Sequence, residues 1–453
     1  VILLFEYNPG NIASINLLNR GYVMATIETQ KPPSGSGLIF TKKQKILVGL
    51  LAFLQFTIIL DFMILAPLGA ILMPGLNITA GQFGTVVSAY AISAAMSGML
   101  TAGFADKFDR KKLLMFFYVG FILGTLFCGL APNYHMLLAA RIVTGLFGGV
   151  IGSIVMAITT DVFPLQQRGR VMGYLQTAFA ASQILGLPAG LYLSNHFGWH
   201  APFIMIVIAS CIAGIFLWIH MEPVTGHLAL QTDKKAFVHL AHTISTPRYL
   251  LAFVTTGILS IGGFMLMPFS SAFTVHNLGI SLDHLPMIYL VTGFASILIG
   301  PLVGKISDSI GSFNTFVFGS VVSIVTVLIY THLGTTPMPM VMLINSIMFV
   351  GIFSRMIPSQ TLMSAIPSPD SRGSFMSIGA SLQQMAGGLG AILAGSIVVQ
   401  EASGAMSHYE EIGYVMTALS VTAIVLMYFI NKDVMAKTGG AVKLNPAGAP
   451  AGH

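Results

Sequence analysis

Three ionisable side chains stand where apolar sequence encloses them on both sides. Asp61 lies in Thr57-Ile58-Ile59-Leu60-Asp61-Phe62-Met63-Ile64, with no basic residue within a turn. Arg141 opens Arg141-Ile142-Val143-Thr144-Gly145-Leu146-Phe147-Gly148, and Arg355 sits in Gly351-Ile352-Phe353-Ser354-Arg355-Met356-Ile357-Pro358. A charge in such a run is costly and marks function by default. The chemistry open to a lone buried carboxyl is reversible protonation: desolvation favours its neutral form and a nearby guanidinium its charged form. Moving the arginine, or admitting a cation, would load or release the proton. A static ion pair that fixes helix packing is the alternative.

The elements that must position these residues are membrane spans. Of the 453 residues, 55% are hydrophobic and 8% charged, which excludes a soluble globular enzyme. A helix needs about 20 mostly apolar residues to cross the hydrocarbon core. Twelve segments qualify: 46–74, 81–104, 112–131, 135–158, 169–195, 200–220, 249–276, 285–305, 313–331, 338–365, 373–398 and 409–430. Threading them alternately gathers every Lys and Arg except Arg141 and Arg355 on one side. These are Arg20, Lys31, Lys42, Lys43, Lys45, Lys107, Arg110, Lys111, Lys112, Arg168, Arg170, Lys234, Lys235, Arg248, Lys305, Arg372, Lys432, Lys437 and Lys443. Basic residues accumulate in cytoplasmic loops, so both termini are expected inside. The formal net charge of +6 then reflects loops facing anionic headgroups rather than nucleic acid. At ~1.5 Å per residue, Asp61 lies ~22 Å into its span and Arg141 ~9 Å into one running the other way. In helices ~36–43 Å long the two charges fall within about two or three turns of each other in depth.

The chain repeats itself about a polar linker, 221–248. Phe163-Pro164-Leu165-Gln166-Gln167-Arg168-Gly169 follows the fourth segment, and Ile366-Pro367-Ser368-Pro369-Asp370-Ser371-Arg372-Gly373 follows the tenth. Ala105-Asp106-Lys107-Phe108-Asp109-Arg110-Lys111 follows the second, and Gly304-Lys305-Ile306-Ser307-Asp308-Ser309-Ile310-Gly311 follows the eighth. Parallel six-helix repeats around a midplane cavity form a transporter architecture. The expected organisation is a tail 1–45, halves 46–220 and 249–430, and a disordered tail 431–453. Met24 reads as the start of translation, with 1–23 lying upstream of it.

Across roughly 46–430 the chain resembles the major facilitator superfamily. The loop after the second span is similar to the signature G-x-L-A-D-R-x-G-R-K, with Ala102 and Asp109 where the glycines belong. Gly304, Asp308 and Gly311 match its shorter form. The resemblance implies an all-α fold of twelve helices in two six-helix halves, with the first and fourth spans as neighbours. Asp61 and Arg141 would then pair, and the arginine of the R-x-x-x-G-x-x-x motif is associated with proton coupling. It implies a gate at Asp106, Arg110, Lys111 and Asp308, in which a carboxylate pairs with Arg from a neighbouring span and caps a helix N-terminus. The bland reading is that Lys107, Arg110, Lys111 and Lys112 only set topology. Gly186, Pro188 and Gly190, followed by Gly198-Trp199, resemble the antiporter signature of the arabinose- and chloramphenicol-efflux group. A bare packing motif explains those small residues too. Aligning the Arg-Gly pairs makes Asn345 the counterpart of Arg141. Arg355 would anchor an anionic substrate group, close the inner vestibule, or snorkel.

Gln55, Gln176, Gln183, Tyr289, Asn345, Gln383 and Arg355 are the candidate substrate contacts, with Gln176 and Gln183 two turns apart on one face. The 26 Met and 31 Phe suit an adaptable apolar pocket, while only two Trp, Trp199 and Trp218, argue against a dedicated sugar site. Cys128 and Cys211 read as small core residues, with no disulfide, metal site or cofactor expected. No phosphate-binding loop appears. The expectation is a monomeric, proton-coupled exporter of a small amphipathic compound, drug or sugar-like, in the inner (plasma) membrane lipid bilayer. Its partners are that small-molecule substrate and protons, and no nucleic acid. The alternatives are a symporter or facilitator for a small organic anion or metabolite and, from another class, a non-transporting receptor or scaffold.

Overall fold

A computed structural model describes residues 40–101, 105–226, 228, 246–368 and 371–437. The expectations for the N-terminal tail up to 39, for Ala102, for most of the linker and for the tail beyond 437 lie outside these residues. The described chain is helical save for one short hairpin. In order it forms α1 (Lys42–Ile64), α2 (Gly69–Leu76), α3 (Ala80–Thr101), α4 (Arg110–Gly129) and α5 (Tyr134–Val162). Then come α6 (Leu165–Ala181), a π-helical turn (Ser182–Gly186), α7 (Leu187–Phe197) and α8 (Ala201–His220). After the linker follow α9 (Pro247–Leu266), α10 (Ser270–His276), α11 (Leu285–Ile310), α12 (Ser312–Thr331), α13 (Met338–Ser364) and α14 (Arg372–Ile397). β1 (Val399–Gln400) pairs antiparallel with β2 (Met406–Ser407), and α15 (Tyr409–Lys437) closes the chain.

Local sequence sets these boundaries. Thr41 and Gln44 form a reciprocal capping box at the start of α1, each side chain serving the other's backbone N–H. Asn133 caps α5 through the Met136 N–H. The segment expected as one span over 46–74 breaks at Leu65–Leu68 into α1 and α2, and Asn77 ends α2 in the left-handed region at φ 51°.

Among the described residues, ten helices are long and apolar enough to cross a membrane. The two remaining expected spans fall short for physical reasons. One is the α6–π turn–α7 stretch, whose first turns carry Gln166, Gln167, Arg168 and Arg170. The other is α14, rich in Gly and Ser, which packs along α3. That seam is close: a side chain at Gly84 would stand 2.6 Å from the Ala391 carbonyl, and one at Gly81 3.3 Å from the Gly395 carbonyl.

Buried apolar residues gather in three cores. One joins the chain before the linker to the chain after it, through Leu65, Phe83, Trp199, Phe269, Phe273, Tyr330 and Tyr409. It occupies the end away from the basic loops. The other two occupy the basic end and stay apart. Leu51, Leu114, Tyr118, Phe121, Ile151 and Leu217 form one, and Phe253, Phe316, Leu362, Phe375 and Met427 the other. The two parts of the chain share one core at the far end and have a core each at the basic end, where Met99 of α3 still packs against the second. Between these levels runs a polar layer. It includes Asp61, Thr125, Arg141 and Thr144 before the linker, and Ser320, Ser323, Ser354 and Arg355 after it.

Candidate functional site

Asp61 and Arg141 meet in the polar layer. Arg141 Nη1 donates to Asp61 Oδ2 at 2.8 Å, and the two side chains are 1% and 0% exposed. Thr125 of α4 donates through Oγ1 to Asp61 Oδ1 at 3.1 Å, so both carboxylate oxygens are held. The guanidinium lies over the Tyr90 ring of α3, 4.6 Å from its centroid, and reaches the Asp61 carbonyl at 3.4 Å. A buried cation on an aromatic face gains from the ring quadrupole, more strongly where water is excluded. Arg141 Nε is buried with no hydrogen-bond partner among the described residues. Cys128 and Thr144 complete the wall, Sγ to Oγ1 at 3.7 Å.

Small residues allow this approach. A side chain at Gly145 would stand 2.0 Å from Ser93 Oγ and 2.4 Å from the Tyr90 carbonyl. One at Gly124 would stand 2.6 Å from Thr144 Oγ1. The Gly four residues after Arg141 is thus what brings α5 onto α3. Tyr90 and Thr125 were not among the residues expected at this site.

The Gly186-Leu187-Pro188-Ala189-Gly190 run lies against the turn that carries Asp61. A side chain at Gly186 would meet Leu60 Cδ1, and one at Gly190 would meet Ile64 Cδ1, each at 2.6 Å. Pro188 sits two residues past the π turn; it has no N–H, and the wider turn rearranges the backbone bonding there. Ser182, in that turn, donates to the Phe56 carbonyl of α1 at 3.1 Å.

Gln183 is buried in the same turn beside Gly293 of α11, whereas Gln176 is exposed, so the two glutamines do not share one environment. Gln55 is half-buried, with Oε1 unpartnered among the described residues. Tyr289 and Asn345 are half-buried and Gln383 is exposed. Cys128 is buried, but Cys211 is exposed on α8, a correction to its expected place in the core.

The loop after α3 is tied down. Arg110 Nε donates to Asp161 Oδ2 at 3.0 Å, at the end of α5, and Nη1 to the Ala105 carbonyl at 3.1 Å. Asp161 was not foreseen as the partner. Asp109, where the signature has glycine, caps α4 by accepting from Lys111 N at 2.9 Å and also accepts from Val224 N at 3.0 Å. Lys111 Nζ holds the Trp218 and Met221 carbonyls and lies 5.6 Å from the Trp218 ring centroid. The side chain of Asp106 lies outside the described residues. In the corresponding loop after α11, Asp308 and Lys305 are exposed, and neither has an ion-pair partner among the described residues.

The model of the Major Facilitator Superfamily matches residues 51–391. The chain belongs to that superfamily. It is accordingly a multi-pass plasma-membrane protein of a transporter family and not an enzyme. Among curated relatives it is 27% identical over 268 residues to YceJ of Bacillus subtilis (strain 168), an uncharacterized MFS-type transporter, covering 58% of this chain and 67% of that one. It is 28% identical over 251 residues to the multidrug resistance protein MdtG of Salmonella dublin, covering 53% and 60%. The chain thus spans about two thirds or less of these relatives' lengths. A bacterial homolog to the human lysosomal transporter Spinster, solved in an inward-facing and occupied conformation, superposes with a TM-score of 0.66. That pair is 15% identical and covers 90% of this chain and 100% of the other, so the superfamily fold is what they share.

Proposed function

We propose that this chain is a proton-coupled exporter of a small amphipathic organic compound, working by alternating access. The observation that carries the reading is the Asp61–Arg141 pair, buried and 2.8 Å long. While Arg141 is seated, a carboxylate is tolerated there. Displacing Arg141 leaves that carboxylate in a water-poor site, where binding a proton costs less than staying charged. The packing of Gly186 and Gly190 on Leu60 and Ile64 supports a mechanical route to that displacement, because motion of α7 bears on the turn holding Asp61.

In this reading twelve spans form two six-helix halves, 46–220 and 249–430, joined by 221–248, with both termini cytoplasmic. The gathering of basic residues at one end supports that orientation. Cores fused at the far end and parted at the basic end support an inward-facing state. Arg110, Asp161, Lys111 and Asp106 then act as the cytoplasmic gate, with Asp308 in the matching loop. Gln55, Gln176, Gln183, Tyr289, Asn345 and Gln383 supply neutral contacts to the cargo. The name of MdtG as a multidrug resistance protein supports export of organic compounds.

The test is transport in proteoliposomes under an imposed pH gradient, with cationic, neutral and anionic amphiphiles. Ligand-dependent proton flux in the wild type and its loss in Asp61→Asn are expected. An Asp61→Asn protein that still builds a substrate gradient from the pH gradient overturns the reading.

A further inference from the structure

We propose that Arg355 is the docking point for an anionic group, of the carboxylate kind, on the transported compound. This rests on the transport reading and adds a substrate class to it. Among the described residues, the polar layer holds three charged side chains. Asp61 and Arg141 neutralise each other at 2.8 Å, and Arg355 has no hydrogen bond or ion pair with any described residue. The described acids after the linker lie elsewhere. Asp283, Glu401, Glu410 and Glu411 stand at the end opposite the basic loops, and Asp308 and Asp433 at the basic end.

Position excludes the simplest alternatives. Arg355 is nine residues from the end of α13 at Ser364, about 13 Å into the helix. It falls on the stripe carrying Ile344, Met348, Gly351 and Leu362, all buried, whereas Ile352 and Met356 are 39% and 36% exposed on another face. The guanidinium is therefore on the inward side of α13, more than two turns from the basic end. Along this helix the apolar core at the far end stops at Met348 and the core at the basic end resumes at Leu362. Arg355 occupies the break between them. The same break holds Ser354 and, across the α12–α13 seam, Ser323, whose buried Oγ has no partner among the described residues. A side chain at Gly351 would stand 2.5 Å from that oxygen. A planar guanidinium presents five donors in a fork matched to carboxylate and phosphate oxygens. A half-buried fork with no acid to fill it among the described residues is a receptor for an anion that arrives and leaves.

The test uses purified full-length protein in neutral detergent and calorimetric binding of matched pairs: four aryl-alkyl carboxylates and their methyl esters. The carboxylates are expected to bind at least tenfold more tightly than the esters. Arg355→Gln should abolish that preference while leaving ester affinity unchanged, which also reports correct folding, and Arg355→Lys should keep part of it. Asp61→Asn should keep the preference intact, so failure of proton coupling and failure of this assignment are separable. Equal affinities in the wild type, absence of carboxylate binding, or a preference that survives Arg355→Gln each overturn it. So does displacement of the carboxylates by short-chain phosphatidylglycerol at equal concentration, which would make the occupant a lipid headgroup.

Discussion

Before the linker, the buried arginines are paired with acids; after it, the half-buried Arg355 has no such partner among the described residues. Asp61 holds Arg141, Arg110 holds Asp161, and at the surface Lys43 holds Glu222. On the other side Arg355, Lys305 and Asp308 have no ion-pair partner among the described residues, while His408 meets Glu411 at the surface. The far-end core that adjoins the polar layer after the linker is built from neutral aromatics. Phe273 stacks on Tyr409 at 4.1 Å, and the Tyr330 hydroxyl meets Thr274 Oγ1 at 2.9 Å. A repeated backbone thus carries unlike chemistry. One part is suited to hold a proton, the other to present an unneutralised cation.

The sharpest way to break this contrast is Arg141→Met. It strands a buried carboxylate, which costs about 3–5 kcal/mol where the charge cannot escape. Protonation of Asp61 relieves that cost, so the loss in thermal stability should be greatest above neutral pH and shrink as pH falls. Arg355→Met, which strands nothing, should leave the melting temperature unchanged or raise it. Next in size is Asp161→Asn. A charge-assisted bond of about 1.5–3 kcal/mol is removed from Arg110, enough to move a two-state balance by roughly ten- to a hundredfold. The transport rate in proteoliposomes should change, and by more than with Asp308→Asn, whose exposed carboxyl has no ion-pair partner among the described residues.

Tyr330→Phe tests the neutral cluster. Its hydroxyl meets both Thr274 Oγ1 and the Ser270 carbonyl, so hydrogen bonding of about 1–2 kcal/mol is lost, and the effect should be the same at every pH from 5 to 8. The smallest effect is expected from Glu222→Gln. Lys43 holds the Glu222 carboxyl below the usual carboxylate range, through a hydrogen bond and charge. Any contribution of this exposed pair is present above that range and fades as pH falls through it. Salt screens it, so melting curves at physiological ionic strength should superimpose on those of the wild type.

Much of this was legible in the chain itself. An acid amid Ile, Leu, Phe and Met announces a buried charge, and span direction with helix rise brings Asp61 and Arg141 to similar depth. The turn around them was not legible. Thr125 and Tyr90 become neighbours of the pair only through how α3, α4 and α5 rotate, which the glycines at 124 and 145 permit but do not number. Asp161 escaped notice for a related reason: it is 51 residues from Arg110 and ends a different helix. Its counterpart in the repeat, two residues before Ile366, is Ser364, so comparing the halves gave no hint. Two turns of spacing suggest one face for Gln176 and Gln183, yet one is exposed and the other lies buried in the π turn.

The π turn at Ser182–Gly186 accommodates one residue more than an α-helical turn would. Everything from Leu187 to Phe197 is therefore rotated by about 100° relative to an uninterrupted helix. That offset is what aims the hydrogen-only faces of residues 186 and 190 at Leu60 and Ile64. A one-residue deletion within the turn would straighten the rod yet leave the Gly190 face where it is, because it removes the residue that the wider turn absorbs. One residue added just after the turn would instead swing bulkier neighbours onto the acid-bearing helix. Lengthening the gene by three bases just after Gly186 should disable transport more thoroughly than removing three bases within the turn.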